Sequence, residues 1–340
     1  MDTLTHALSG ALLARATAIR DPRPDHPPLT VRTGVGFAVA AFPDIDFLLR
    51  WVDPLMFLNW HRGHTHSIVL LPLWALLLAV LLRWIIRGRY PLRALLGVCA
   101  LALAIHIAGD VITSYGTRVL VPLSDVRVSL PTTFIIDPWF TGIIVLGLLA
   151  SWLWRSPRAA AAGLALLVAY VGLQGSWYRE ALELARHHAA DRGLEASAAH
   201  ALPQPFLPVH WKLIIRDGDA YHQSYVRLHG APPNAGVDDA WWRRIAAAYR
   251  ALEDLEWTTV RQFGEEHRAL AREAWTRPEF ASFRKFAMFP YVYRLERGAQ
   301  RTCAWFSDLR FVLDELTPPF RYGMCRANGT DRWSLERLTR

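Results

Sequence analysis

The chain has 340 residues, 52% of them hydrophobic and 15 of them Trp, with a formal net charge of +8 and a pI near 9.7. Such a composition suits either a large buried core or several bilayer crossings, and the distribution of apolar runs decides for the bilayer. The positive charge does not indicate nucleic acid. Its arginines fall in short loops between apolar runs and through the C-terminal part, where they report membrane topology first.

From the N-terminus, Leu4, Leu8, Ala11, Leu12 and Ala16 recur at helical spacing and predict a helix over residues 3–18, short for a span, with His6 at its start. No basic region precedes an apolar one here, so the segment does not read as a signal peptide and is expected in the mature protein. Arg15, Arg20, Arg23 and Arg32 surround a Pro-rich linker at residues 22–28. Residues 35–42 then run apolar into Pro43-Asp44-Ile45-Asp46, where the aspartates either cap or turn the chain after Pro43 or, by alternation of two, share one face of an extended segment. Next comes His61-Arg62-Gly63-His64-Thr65-His66-Ser67, which packs three imidazoles into six residues directly before the apolar run at 68–86. No fold needs that cluster for packing, whereas imidazole is the commonest protein ligand for transition metals. Further apolar runs at 95–107, 143–153 and 159–175 complete the expected architecture, an α-helical polytopic membrane domain of about six helical segments over residues 1–178. Cys99, inside one of these runs, reads as an inert small packing residue.

If the chain reverses direction at each apolar segment, His6, Asp44, Asp46, His61, His64, His66, His106 and Asp110 all fall at one membrane level. The dense arginine loops at 15–32, 83–93 and 155–158 fall at the other. The positive-inside tendency then makes the arginine loops cytoplasmic and turns the ligand end and the C-terminal part outwards. His106 and Asp110 are one helical turn apart and share a face, so they can hold one ion together. The competing interpretation has His106 donating to a backbone carbonyl and Asp110 capping the helix before Ser114-Tyr115-Gly116. Ionisable residues at depth in a span favour a functional site.

The composition changes sharply after residue 178, predicting a separate polar α+β domain over 179–340. Residues 212–216 and 221–228 flank Asp217-Gly218-Asp219 as a hairpin, residues 240–255 are helical by period, and 289–295 with 302–312 read as a second strand pair. His187, His188, His200, His210, His222, His229 and His267 show no ligand spacing beyond the adjacent pair and read as surface or core histidines. Cys303 and Cys325 are free to pair if this domain lies outside the cytoplasm.

Four motifs in order, Asp2-x-x-Thr5-His6, Pro43-Asp44-Ile45-Asp46, His61-Arg62-Gly63-x-Thr65-His66-Ser67 and His106-x-x-Gly109-Asp110-x-x-Thr113-x-x-Gly116, resemble those of the YdjM-type inner-membrane proteins, a family classed as metal-dependent hydrolases. The resemblance covers residues 1 to about 178. It implies a multi-pass inner-membrane protein with His6, Asp44, Asp46, His61, His66, His106 and Asp110 as metal ligands, while His64 occupies the motif's variable position. The order of ligands is also similar, more distantly, to the zinc-dependent phospholipases C and single-strand nucleases.

Imidazole and carboxylate without thiolate suit Zn²⁺, with Mn²⁺ or Fe²⁺ as substitutes, and about one to three ions would use the ligands, a pair of them being bridged by a carboxylate such as Asp110. An ion with an open position makes hydroxide near neutral pH, so a hydrolase acting on a phosphoester in a lipid-linked or envelope substrate is expected, with the bilayer as its surroundings. Asp46 and Arg62 are the candidate catalytic residues. The Arg62 fork matches phosphate but equally suits a salt bridge orienting Asp44 or Asp46, while Thr65, Ser67 and Thr113 are expected to support the ligands by hydrogen bonds. The rival is a non-catalytic protein with a structural metal and a partner-binding polar domain. A transporter, third, would need ligands spread through the bilayer depth.

Overall fold

The computed structural model describes residues 1–18, 25–233, 235–236, 238–313 and 316–338. Arg20, Arg23 and residues 22–24 of the Pro-rich linker, expected in the first basic loop, lie outside the described residues. The chain divides into two compact units, one of Met1–Val52, Trp60–Trp177 and Pro205–Pro208, the other of Asp53–Asn59, Tyr178–Gln204 and Val209–Arg340.

The first unit begins with α1 (Thr3–Ala16), capped by the Asp2 carboxylate, which accepts from the Thr5 amide. Its residues are small or apolar on nearly every side, and Thr5, His6, Ser9, Gly10, Leu12 and Arg15 are all buried, so this short helix is surrounded by others. Against it lies α2 (Leu29–Ala41), brought to backbone contact at Gly10 and Gly36. A Cβ on Gly10 would stand 2.3 Å from the Gly36 carbonyl oxygen and from Ala40 Cβ. A 3₁₀ helix, Phe42–Leu48, continues from α2, followed by α3 (Leu49–Val52) and, after α4 (Pro54–Trp60), which belongs to the second unit up to Asn59, a 3₁₀ turn at His64–His66. The apolar helices α5 (Leu71–Ile85), α6 (Leu92–Val111), α7 (Pro138–Leu153) and α8 (Pro157–Asp191) complete the helical region. Asp137 caps α7 by accepting from Trp139 and Phe140 amides, and its other oxygen accepts from the Tyr170 hydroxyl and Gln174 amide of α8.

Three expectations change here. Of the six expected segments, two among the described residues, α6 and α8, are each long and apolar enough to cross a membrane, or three if residues 55–66 and α5, bent by 78°, count as one broken span. The segment at Asp44 and Asp46 is not extended but 3₁₀, because Pro43 supplies a helical φ at its first turn. At three residues per turn, carboxylates two apart point in different directions rather than along one face. Finally, α8 runs 35 residues, well beyond the apolar run. Alanine, leucine, glutamate and arginine through residues 180–190 keep helix propensity high after apolarity ends.

The second unit holds two four-stranded antiparallel sheets, each a meander. The first comprises β1 (Ala199–Pro203), β2 (His210–Asp217), β3 (Ala220–Arg227) and β4 (Thr258–Arg261). The second comprises β5 (Pro290–Arg297), β6 (Arg301–Asp308), β7 (Tyr322–Ala327) and β8 (Trp333–Arg337). The β2–β3 hairpin turns at Gly218, whose φ of +57° suits the two-residue loop between paired Asp217 and Ala220. Cys303 and Cys325 face each other across β6 and β7 and form a disulfide. The helix predicted over 240–255 is cut to α9 (Trp241–Ala247), because the Arg250 amide and carbonyl instead bond the Tyr225 carbonyl and the Arg227 amide of β3. Two more short helices, α10 (Arg268–Thr276) and α11 (Ala281–Phe286), pack Phe280, Phe283 and Trp275 against Phe306.

Candidate metal centre

Four elements converge on one buried point. The first turn of α1 brings His6, the 3₁₀ helix after α2 brings Asp44 and Asp46, the loop after α4 brings His61 to His66, and the last turn of α6 brings His106 and Asp110. The loop is held by backbone that few residues tolerate: Arg62 has φ of +58°, and a Cβ on Gly63 would stand 2.7 Å from the Trp60 carbonyl oxygen. Gly109 leaves room for the His6 ring, which a Cβ there would approach to 3.1 Å.

Three groups of donors result: His6 with Asp44 and His106, His66 with His106 and Asp110, and Asp44 with Asp46 and His61, the ligand atoms in each lying within 4.8 Å of one another. All seven residues expected as ligands are placed in these groups, and none of the polar-domain histidines joins such a group among the described residues. His210, for example, stacks on Tyr249, and His188 on Trp257. His64 stands apart, its ring stacked on Trp60 and its carbonyl accepting from the Trp74 indole.

At the deepest point, Asp110 Oδ2 lies 3.1 Å from His66 Nε2 and 3.5 Å from His106 Nε2, while Asp44 Oδ1 lies 3.6 and 3.8 Å from the same two nitrogens. Ligand atoms on a tetrahedral zinc with bonds of about 2.0–2.1 Å stand roughly 3.3 Å apart, close to these four separations, and His66, His106 and Asp110 form one donor group. His66 Nε2, His106 Nε2 and Asp110 Oδ2 are fully buried and make no hydrogen bond. Three buried polar atoms facing one another without partners would each be costly, and a cation between them satisfies all three. Their other atoms are fixed: His106 Nδ1 lies 2.6 Å from the Ala40 carbonyl oxygen and His66 Nδ1 2.9 Å from Thr65 Oγ1. The carbonyl bond makes Nδ1 of His106 the protonated nitrogen and leaves Nε2 its lone pair, so one half of the alternative anticipated for His106 is present and leaves its outer nitrogen free to bind. Asp110 Oδ1 is engaged separately, by Arg62 Nη2 at 2.9 Å, His6 Nε2 at 3.0 Å and the Met1 amino nitrogen at 2.5 Å.

The third group forms the outer edge. Asp44, Asp46 and His61 side chains keep about 8% exposure, against 1% or less for His6, His66, His106 and Asp110. Asp46 Oδ1 sits 2.8 Å from His61 Nδ1, and Oδ2 accepts from the Arg62 amide at 3.1 Å. Asp44 Oδ2 accepts from Thr3 Oγ1 at 2.6 Å. Burial alone would raise the Asp44 carboxyl, but the His66 imidazole 3.6 Å away and the nearby His106 and His6 rings outweigh it and hold it below the ordinary carboxylate range. The carboxylate common to two donor groups is Asp44, where Asp110 was expected to bridge.

Arg62 pairs with Asp110 rather than with Asp44 or Asp46, because its positive φ turns the side chain inward toward α6. There Nη1 donates to Thr113 Oγ1 at 2.7 Å and the guanidinium lies 4.8 Å from the centre of the Tyr115 ring, leaving Nε without an acceptor. Thr65 and Thr113 thus hydrogen-bond within the site, whereas Ser67 donates to the Val119 and Val121 carbonyls and accepts from the Val69 and Leu70 amides just before α5. Thr3 and the Ala40 carbonyl were not foreseen. A backbone acceptor leaves no trace in residue type, while Thr3 was readable only as a hydroxyl beside the Asp2 cap.

No solved structure matches the chain. The uncharacterized protein YfhP of Bacillus subtilis (strain 168) is 28% identical over 180 residues, which are 52% of this chain and 52% of that protein. The chain thus spans about half the length of the curated relative it matches. The family model described as YdjM inner membrane protein matches residues 1–181, which include every candidate donor of the centre, the span α6 and most of α8. The chain belongs to the YdjM family of inner-membrane proteins.

Proposed function

We propose that this protein is a membrane-bound metal-dependent hydrolase of phosphoesters in lipid-linked or envelope substrates. The observation that carries it is the division of donors into two kinds of site. We read His66, His106 and Asp110, with Asp44 Oδ1 3.6 and 3.8 Å from the two imidazoles, as a four-donor shell at depth, while Asp46 and His61 join Asp44 at the partly exposed edge with three protein donors. A closed site suits structure, and a three-donor site leaves a position for water or substrate. Divalent ions, zinc by the ligand chemistry with manganese or iron as substitutes, supply Lewis acidity here and lower the pKa of water beside them.

The chain's own residues do the rest. Asp46, the candidate base, takes the proton of the attacking water as its oxygen bonds to phosphorus, and returns a proton to the departing alkoxide as the old P–O bond breaks, while His61 remains a donor held by Asp46. One ester and one water thus become one alcohol and one phosphate group. Arg62 contributes charge and its unpaired Nε–H while fixing Asp110. His6 orients Asp110 and stacks on His106 at 3.7 Å, forming a separate donor group with Asp44 and His106. The proposal includes the six-segment alternating path, with α1 and α2 as short buried segments, and a domain boundary near residue 178. It also places the centre and the polar domain outside the cytoplasm, a side on which the Cys303–Cys325 disulfide persists. Metal analysis of the purified protein, paired with a panel of phosphomonoesters and phosphodiesters, tests it. About two equivalents of transition metal and chelator-sensitive hydrolysis are expected; metal-free protein with undiminished hydrolysis overturns the reading.

A further inference from the structure

The approach to the centre is built from apolar side chains. Because the inner ligands are sealed, anything reaching the metal donors passes Asp44, Asp46 and His61, and the two aspartates sit in a segment whose intervening residues are exposed and apolar. Ile45, Phe47 and Leu48 are 46–51% exposed, and the helix that follows ends in Trp51 and Val52 at 83% and 75%. At three residues per turn Ile45 and Leu48 eclipse one another, forming a ridge beside the carboxylates. Phe47 lies edge-on to the His61 ring with centroids 5.4 Å apart, so this ridge touches the outer donor group itself.

Water is a poor solvent for such an edge. The same unit exposes Leu73, Leu77, Val80 and Trp84 along α5, the apolar surface expected against acyl chains, so the ridge continues a lipid-facing surface rather than standing alone. Exposed Arg50 lies within the segment, where its guanidinium can snorkel to phosphate headgroups.

From this we infer that the segment from Ile45 to Val52 lies in the interfacial layer of the bilayer, and that the substrate is a membrane lipid entering sideways. Its phosphoester is presented to Asp44, Asp46 and His61, and its acyl chains rest on Ile45, Phe47 and Leu48. The inference rests on the hydrolase reading for its substrate and on the exposed ridge alone for its membrane contact.

The two parts are tested on the full chain in nanodiscs of phosphatidylethanolamine and phosphatidylglycerol. Trp51→Cys carries a spin label, Cys99 being buried and Cys303 and Cys325 bonded to each other. A label relaxed more by dissolved oxygen than by a soluble nickel chelate is expected; the reverse overturns the lipid-facing segment. Hydrolysis is compared between dioleoyl phosphatidylglycerol and glycerophosphoglycerol, the same headgroup without chains. The chain-bearing lipid is expected to be preferred in kcat/KM, and Leu48→Ser to cut that preference at least about tenfold at unchanged metal content, as lost burial of two or more methylenes requires. Equal rates on the two compounds overturn lateral entry. No hydrolysis of either, with an oxygen-relaxed label, rejects the hydrolase reading while upholding the membrane-embedded edge.

Discussion

Asp110→Asn is the most searching substitution in the inner site. The asparagine keeps the shape of a fully buried side chain but removes a charge that faces Arg62, His6, His66 and His106 at 2.9–3.5 Å. If Nδ2 replaces Oδ2, an N–H donor points at two imidazole lone pairs and at the ion; if it replaces Oδ1, it meets the Arg62 donors. Breaking one partner of a buried charge pair costs about 3–5 kcal/mol. Structural zinc sites release about 10–16 kcal/mol on binding, so one of four donors carries about 3 kcal/mol, more than a hundredfold in affinity. Both estimates predict that the inner ion is lost under chelator competition that wild type survives, with metal per chain falling by about one. Elemental analysis after dialysis against a graded chelator series measures this. Full metal content in Asp110→Asn, with an unchanged competition curve, would refute the tetrahedral assignment.

Other substitutions probe the remaining parts. His66→Ala should deplete metal while His64→Ala leaves it, since only the first ring joins a donor group; equal loss in the two would refute the geometry. In Arg62→Lys the charge stays but the fork that spans Asp110 and Thr113 is lost, so metal content should hold while turnover falls at least about tenfold, about 1.4 kcal/mol in the barrier. Gly10→Ala places a methyl 2.3 Å from the Gly36 carbonyl oxygen, and the overpacking, worth about 1–3 kcal/mol, should lower both thermal stability and metal content; unchanged values would show that α1 and α2 separate without cost. A reporter active only outside the cytoplasm should be active when fused after Arg340, and a cytoplasmic signal would invert the proposed sidedness.

The metal donors were legible because the chemistry demands particular residue types, and His61, His66, His106, Asp44, Asp46, Asp110 and His6 have no bland reason to gather at helix ends. Apolar runs likewise located α5 to α8, since the bilayer selects composition directly. What composition does not record was lost. The end of the apolar run at residue 175 marked the end of hydrophobicity, not the end of α8, and the turn at Asp44 was 3₁₀ because one proline set the backbone against the two-residue period. In the polar unit β1, β4, β7 and β8 went unseen. β4 and β8 are mostly exposed or half-buried, while β1 and the first four residues of β7 are buried on successive positions, so none shows the alternation that identifies a half-buried strand.

The division of the candidate donors into an inner group and an outer edge was illegible for a further reason: it depends on distances between helices that are set by residues with no side chain. Gly10 and Gly36 let α1 and α2 touch, which carries the Ala40 carbonyl to His106 and Thr3 to Asp44. Gly109 lets the His6 ring lie against α6, where it stacks on His106 and reaches Asp110. Gly63 turns the histidine loop so that Arg62 points inward and takes Asp110 Oδ1, leaving Oδ2 for the ion. Each glycine is chemically silent, yet each fixes which oxygen or nitrogen of its neighbours remains unsatisfied. The residue types mark the candidate donors; the glycines determine which of them come together and which stay at the exposed edge.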